Sequence, residues 1–177
     1  MIWVLLGLIL LIYAVIIIAG ARKRDTDERE DGLHEVSGGN VSVFMDRSGN
    51  IDVIPFSLNR LKRGRASDYP LTLRTPFSSS KLGMIIRKGL LLSVDGKELA
   101  SEDLMKSLGF YDWKEYSRGK KSVSVTFRRE GVVLNSTIHH SDGSYAFRVR
   151  GFEKILPARL YDTVLGDAVL ELMKISK

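Results

Sequence analysis

Three groups of residues in this 177-residue chain have types that could do chemistry, and the first is a histidine pair. His139 and His140 are adjacent and Asp142 follows closely, so one short segment holds three potential metal ligands. Neighbouring residues at a strand end point to opposite faces, which keeps the two imidazoles from reaching one ion. The only other histidine is His34, and the chain has no cysteine. We therefore predict a polar turn here and no metal site.

The second group is a run of three serines, Ser78–Ser80, in which one hydroxyl could act as a nucleophile. No G-x-S-x-G motif surrounds the serines and no base is placed beside them. Serines ahead of an apolar periodic segment are typical of helix caps. Glu102 and Asp103 are likewise explained by a helix first turn, and no phosphate-binding G-x-x-x-x-G-K-[ST] loop occurs. The sequence predicts no enzyme, with no catalytic, cofactor-binding or metal-binding residue and no cofactor.

The third group is the basic run "NRLKRGR", which contains Arg60, Lys62, Arg63 and Arg65. From Val41 onward the chain has 23 basic and 15 acidic residues, a net formal charge of +8. Such a surface suits an anionic partner, whether nucleic acid, lipid head groups or an acidic protein. The four basic residues are therefore candidate contacts for an anionic partner. A solvated loop explains the run equally well.

The strands that must position these groups follow from β-branched and alternating segments. Two such runs, 41–45 and 51–54, flank the turn "DRSGN" and predict a hairpin that ends at Pro55. Residues 71–74 predict a short strand. "KKSVSVTF" alternates clearly and is joined by "RREG" to "VVLNSTI", which predicts a second hairpin. "YAFRVR" and "FEKILP" predict two further strands.

The helices follow from caps and apolar faces. A serine of the Ser78–Ser80 run caps a helix whose apolar face contains Leu82, Ile85, Ile86, Gly89 and Leu90. Ser101 and Asp112 are predicted to cap two shorter helices, which end at Gly109 and Gly119. Asp162 is predicted to cap a last helix with a broad apolar face. Together these elements predict an α+β domain with a mostly antiparallel sheet and packed helices.

The N-terminal segment has a different composition. Ile2 to Ala19 contains no charge and would span about 27 Å as a helix, close to the thickness of a bilayer core. Because Arg22, Lys23 and Arg24 follow at once, the positive-inside rule places the C-terminal side in the cytoplasm. The sequence thus predicts a single transmembrane helix in the cell membrane. A cleaved signal peptide ending at Ala19–Gly20–Ala21 and a buried core helix are the alternatives.

Charge and hydropathy divide the chain into three parts. Residues 1–20 are the predicted transmembrane anchor, and residues 21–40 are a predicted charged linker that has few apolar residues to bury. Residues 41–177 are long enough to form one α+β domain with its own core.

Four motifs occur in a characteristic order in the C-terminal part: "SSSKLGMIIRKGL", "LGFYDWKEYSRGKKSVSV", "DGSYAF" and "VLGDAVLELM". This order resembles the immunity proteins of bacterial contact-dependent growth inhibition (CDI), of the CdiI type. In that family a W-K-E-[FY] segment precedes the first strong strand, a D-G-x-Y turn follows, and an L-G-x-A-[LV] helix closes the domain. The similarity covers about residues 71–175.

The resemblance implies an immunity protein that binds and neutralises a cognate toxin domain, in some members a nuclease, delivered by a neighbouring cell. The resemblance assigns no toxin-contacting residue to this chain, since those contacts vary with the partner among family members. Seven residues match family positions and are interpreted as structural: Trp113, Tyr116, Gly119, Asp142, Gly143, Tyr145 and Gly166.

Two other classes of function remain open. The basic run and the net charge allow a membrane-anchored binding module for nucleic acid or anionic lipid, although nucleic acid is not the favoured partner. The predicted anchor alone allows a small structural subunit of a membrane complex. Steep salt dependence of nucleic-acid affinity would favour the first class, and stable co-purification with membrane proteins the second.

Overall fold

A computed structural model of the chain describes residues 31–58, 64–95, 98–148 and 151–177. These residues form ten strands and four helices. The strands are β1 (Leu33–Glu35), β2 (Asn40–Met45), β3 (Ile51–Leu58), β4 (Gly64–Ala66), β5 (Leu71–Leu73), β6 (Lys121–Arg128), β7 (Gly131–His139), β8 (Tyr145–Phe147), β9 (Glu153–Leu156) and β10 (Arg159–Tyr161). The helices are α1 (Ser79–Asp95), α2 (Ser101–Leu108), α3 (Trp113–Ser117) and α4 (Asp162–Ile175).

An antiparallel sheet of eight strands forms the centre of the fold. Its path runs β4-β3-β2-β6-β7-β8, with β5 also pairing with β3 and β9 with β7. Both predicted hairpins are confirmed, because β2 pairs with β3 and β6 pairs with β7. The sheet curls into a half-barrel with packed helices, so the expectation of an α+β domain with an antiparallel sheet is also confirmed.

The second strand of the first hairpin was predicted to end at Pro55, but β3 continues through this residue to Leu58. Pro55 lies opposite Val41, and its carbonyl accepts a bond from Ser67 N at 3.0 Å on the outer side of β3. The nitrogen of a strand residue points to the same side as its carbonyl, so the missing N–H of Pro55 faces away from β2. The ladder between β2 and β3 therefore loses no bond, which explains why a proline is tolerated there.

Helices α1 and α4 cover one face of the sheet, which we call the helix-covered face. Its core combines alternate residues of the central strands with the apolar stripes of both helices. Removing each such side chain from water contributes about 1.5–3 kcal/mol to folding. The core includes Val41, Val43, Val53, Val123, Val125, Leu134, Leu82, Ile86, Leu90, Leu165, Val169 and Leu172.

Two glycines let α1 and α4 approach closely. A Cβ at Gly83 would lie 1.9 Å from the carbonyl oxygen of Asp162, and a Cβ at Gly166 would lie 1.9 Å from that of Ser79. No side chain fits at such distances, because both obstacles are backbone. Gly83 on α1 and Gly166 on α4 thus set how closely the two helices pack.

The predicted helix caps have mixed outcomes. Ser78 Oγ accepts from Lys81 N at 3.2 Å, and Asp112 Oδ1 accepts from Glu115 N at 2.7 Å, so these two caps are confirmed. Ser101 is instead the first helical residue of α2, and Ala100 holds the cap position without a side-chain bond. The prediction for Asp162 was also wrong, because Tyr161 holds the cap position of α4.

The carboxylate of Asp162 has a different partner. Both of its oxygens accept from the Arg87 guanidinium at 3.0 Å, which joins α4 to α1. The N–H of Thr163 is bound instead by Asp31 Oδ1, also at 3.0 Å. The start of α4 is therefore satisfied by a residue distant in sequence, which no local pattern reveals.

Residues 31–40, assigned to the linker from composition, begin the folded part of the described chain. Besides the contact of Asp31 with α4, strand β1 pairs with β10. Within the described residues, no helix is both long and apolar enough to cross a membrane. The predicted anchor, residues 1–20, and the first half of the predicted linker lie outside the described residues.

Candidate functional site

The second face of the sheet carries an aromatic cluster beneath α2 and α3. The ring of Phe44 on β2 meets Trp113, Tyr116 and Tyr145 edge-on, at centroid distances of 5.4–5.6 Å. Tyr116 also packs edge-on against Phe110 at 5.4 Å. Such pairs stabilise by about 0.5–1.5 kcal/mol each beyond their burial. The cluster fixes α3 over one end of the sheet.

Hydrogen bonds join the motif residues of α3 to the turn before β8. Trp113 Nε1 donates to Gly143 O at 2.9 Å, and Tyr145 Oη donates to the carbonyl of Ser117 at 3.1 Å. Gly143 has φ +89°, and a Cβ there would lie 3.1 Å from Lys114 Cα. The Trp113–Gly143 and Tyr145–Ser117 bonds thus bring the "DWKEYSRG" and "DGSYAF" segments together.

Asp142 organises the same turn. Its Oδ1 accepts from the backbone N–H of Ser144 at 2.9 Å and from the Ser144 hydroxyl at 2.7 Å. These bonds, first that of the hydroxyl and then that of the backbone, lower the pKa of the Asp142 carboxyl. The carboxylate therefore shapes its own turn.

The histidine pair does not form a metal centre with its neighbours. His139 Nε2 lies 3.2 Å from Ser117 Oγ, and its ring packs against Tyr145 at 4.9 Å between centroids. His140 is exposed. Among the described residues no three His, Cys, Asp or Glu side chains are grouped as a metal site would need.

A buried charged triad lies beside the aromatic cluster. Lys120 Nζ is 2.7 Å from Asp52 Oδ2, and the Tyr116 hydroxyl donates to that same oxygen at 3.1 Å. Lys120 Nζ also lies 3.7 Å from the centre of the Tyr116 ring. Burial, and then the Asp52 charge, raise the pKa of the Tyr116 phenol far above its usual range. The phenol thus stays a neutral donor. Within the triad, the Asp52 charge is paired with Lys120 and the Tyr116 hydroxyl has an acceptor.

The triad forms the floor of an open pocket of about 540 Å³, which we call the arginine pocket. Its walls come from the β2–β3 turn, β5 and the segment from the end of α2 to β6. Arg47, Arg74 and Arg118 line it with exposed side chains. Gly119, with φ +71°, allows the Arg47 guanidinium to lie against the backbone, since a Cβ there would be 3.1 Å from Arg47 Nε.

On the other side of α3 a groove of about 660 Å³ runs over the sheet. Its floor is made of small polar residues on β2, β6 and β7, and Phe147 on β8 lines it with a side chain that is 58% exposed. No hydrogen bond within the described chain engages the hydroxyls of Ser42, Ser124 and Thr126. We call this surface the open groove.

A smaller pocket of about 460 Å³ adjoins the open groove and shares Trp113 with it. Tyr111 lines this pocket and is 92% exposed. Arg65 on β4 also lines it, as an exposed residue. The other members of the predicted basic run, Arg60, Lys62 and Arg63, lie outside the described residues.

The remaining motif residues occupy defined positions. Tyr116 is part of the buried triad, Gly119 lies against Arg47, and Gly166 forms the close contact between α4 and α1. No sequence pattern indicated the Asp52–Lys120 pair or the arginine pocket. Asp52 stands at an alternating position of β3 where an outward polar residue is ordinary, so no sequence signal marks it.

Comparison with known proteins shows similarity at the level of the fold. No protein-family model and no curated protein matches the sequence. A protein of unknown function from Neisseria meningitidis shares the fold with a TM-score of 0.63 and 9% identity, over 82% of this chain and 99% of that one. A chain of the CdiA-CT/CdiI toxin and immunity complex from Yersinia pseudotuberculosis is similar with a TM-score of 0.62 and 15% identity, over 81% of this chain and 100% of that one.

Proposed function

We propose that this protein is an immunity protein that binds and neutralises a cognate toxin domain, and that it acts by binding rather than by catalysis. The observation that carries the proposal is the similarity of fold to a chain of a toxin and immunity complex, which extends over that whole chain. The order of motifs in residues 71–175 supports the same function. Fold alone does not determine function, so the proposal needs its own test.

The surface beside α3 has features that a protein-binding site requires. A stable interface covers about 800 Å² on each partner, and its central contacts are enriched in aromatic residues. The open groove and the smaller pocket meet at Trp113 and expose Phe147 and Tyr111. The unused hydroxyls on the groove floor can bond to a partner. We assign toxin binding to this surface.

The test is survival of cells that express the toxin-like domain encoded nearest to this protein's gene. Co-expression of the full chain is expected to restore survival, whereas an unrelated protein of similar net charge is not. Loss of viability despite the full chain, with the toxin domain shown to be active, would remove that domain as the partner.

A variant pair tests the assigned surface. Tyr111→Ser with Phe147→Ser is expected to weaken binding of the toxin domain at least tenfold, measured by calorimetry. The matched control is Leu91→Ser with Val94→Ser, which removes two similarly exposed apolar residues from α1. Equal affinity of the two variants would reject this surface.

We further propose that residues 2–19 hold the protein at the inner face of the cell membrane, with the domain in the cytoplasm. The absence of charge over eighteen residues and the basic residues that follow support this placement. A toxin that enters through that membrane would then meet its inhibitor at once. The binding of nucleic acid or anionic lipid by residues 60–65 is the alternative, supported by the net charge and by exposed Arg65.

A further inference from the structure

The arginine pocket contains cationic groups that the described chain does not use. A guanidinium carries five N–H donors and no acceptor. For Arg47, Arg74 and Arg118, neither an ion pair within 4 Å nor a side-chain hydrogen bond occurs among the described residues. Three such groups around one pocket of about 540 Å³ offer many unused donors to anything that enters it.

The acidic residues of the pocket are, in contrast, engaged. Asp52 accepts from Lys120 and Tyr116. Glu115 Oε2 accepts from Tyr111 N at 3.2 Å. Asp46 accepts from the N–H groups of Ser48 and Asn50 in its own turn.

The protonation state of Asp46 agrees with this assignment. Partial burial raises the pKa of the Asp46 carboxyl, but its bonds with Asn50 and Ser48 outweigh burial and hold the pKa below its usual value. Asp46 therefore remains an ionised acceptor for its own turn. The positive charge of the three arginines stays available for a partner.

The shape of the pocket limits what can use these donors. The floor is the triad of Asp52, Lys120 and Tyr116, in which the charges of Asp52 and Lys120 cancel, so the arginines bind at the rim. Guanidinium groups bind carboxylates through two parallel hydrogen bonds, which gives both affinity and orientation. An open pocket of about 540 Å³ accepts a few side chains of a loop.

We propose that the arginine pocket receives aspartate or glutamate side chains of an acidic loop on the toxin domain. This inference rests on the proposed function, because it names the chemistry of the same partner. Charge complementarity supports it, since residues 41–177 carry a net formal charge of +8 and complementary potentials select partners and speed encounter. The partner is therefore an acidic surface rather than a basic one.

The first experiment uses the full chain and an acetylated hexaglutamate peptide as the probe, with hexaglutamine as the uncharged control. The test variant is Arg47→Gln, Arg74→Gln and Arg118→Gln together. The matched control is Lys88→Gln, Arg159→Gln and Lys174→Gln together, which removes the same charge from exposed positions on α1, β10 and α4. Urea midpoints of both variants equal to that of the original protein establish that the fold is intact.

The expected result is binding of hexaglutamate, at least tenfold weaker in the arginine-pocket variant and within twofold of the original in the control variant. An equal loss in both variants would show a general effect of net charge and overturn the inference. Absence of hexaglutamate binding to the original protein would overturn it too. Displacement of the peptide by inorganic phosphate at a lower concentration would identify a phosphate site and overturn it as well.

A second experiment separates this inference from the proposed function. Both variants are tested for survival against the toxin-like domain encoded nearby and for affinity to it. A tenfold loss of affinity in the arginine-pocket variant alone supports the inference. Full protection with unchanged affinity in that variant leaves the proposed function standing and overturns the pocket. Pocket-dependent peptide binding without protection by the original protein, with the toxin domain shown to be active, supports the pocket chemistry and removes that domain as the partner.

Discussion

At the scale of residues, the Asp52–Lys120 pair is the contact on which the candidate site depends. Its side chains are only 11% and 10% exposed, and it lies between the aromatic cluster and the arginine pocket. Removing one partner of a buried ion pair leaves an uncompensated charge, which costs more than the pair itself contributes. The pair is therefore tested by comparing single and double substitutions.

We expect Lys120→Met to lower the free energy of unfolding by about 3 kcal/mol, measured by urea denaturation. Methionine keeps an apolar stem over the Tyr116 ring but leaves Asp52 charged and without its cation. Adding Asp52→Asn is expected to recover most of the loss, because the amide oxygen still accepts from the Tyr116 hydroxyl. Lys88→Met, at an exposed position of α1, should change the free energy of unfolding by less than about 0.5 kcal/mol. A Lys120→Met effect no larger than that of Lys88→Met would contradict the assigned role.

The family motifs marked several residues of this region, which the sequence analysis interpreted as structural. Among the motif residues, Trp113 packs against Tyr116 and donates to Gly143 O, while Tyr145 donates to Ser117 O on the same helix. The arginines of the pocket could not be grouped from sequence, because they come from a turn, the residue after a strand and a helix end. The pairing of β3 with β2 and β5 brings Arg47 and Arg74 together, and the contacts of Lys120 and Tyr116 with Asp52 place the end of α3 beside them.

At the scale of elements, the close approach of α1 and α4 determines how the two helices pack side by side on the helix-covered face. Local patterns predicted both helices, since caps and apolar stripes are encoded within a few residues. Their mutual approach was not predictable, because Gly83 and Gly166 each face backbone of the other helix or its start. Strand β1 was not predicted either, because its partner β10 lies more than a hundred residues away in the sequence.

We expect Gly166→Ala to destabilise the protein by about 1–3 kcal/mol, because its methyl group would overlap the Ser79 carbonyl and force the helices apart. Alanine otherwise favours a helix by about 1 kcal/mol over glycine, so the sign of the change is diagnostic. The measurement is the urea midpoint, with Lys174→Ala as an exposed control on α4. A Gly166→Ala protein more stable than the original would show that the close contact is absent.

At the scale of the whole molecule, the two faces of the sheet have different tasks. The helix-covered face buries the main core, while the other face combines the aromatic cluster with the open groove and the arginine pocket. Antiparallel sheets commonly divide in this way, with one face packed and one available. Ser122, Ser124 and Thr126, whose alternation with apolar residues predicted strand β6, lie on this second face. A binding role for this second face was not predictable, since small hydroxyl residues also occur on sheet faces that only contact solvent.

The proposed anchor leads to a prediction about where the protein acts. Deleting residues 1–20 is expected to move the protein from the membrane fraction to the supernatant, with its affinity for the toxin domain unchanged. Protection should then fall against toxin delivered by neighbouring cells, because the inhibitor is no longer located at the membrane where the toxin enters. It should persist against toxin expressed inside the cell, where both proteins share one volume.

An unrelated single-span segment in place of residues 1–20 provides the control and should restore protection against delivered toxin. Restoration would assign the effect to position, since the replacement shares no residues with the original anchor. Equal protection with and without residues 1–20 in both assays would contradict a role for the tether in function. Loss of protection in both assays, with affinity intact in vitro, would instead mean that residues 1–20 are needed for accumulation of the protein. Measuring its cellular level by immunoblot distinguishes that outcome from a defect of placement.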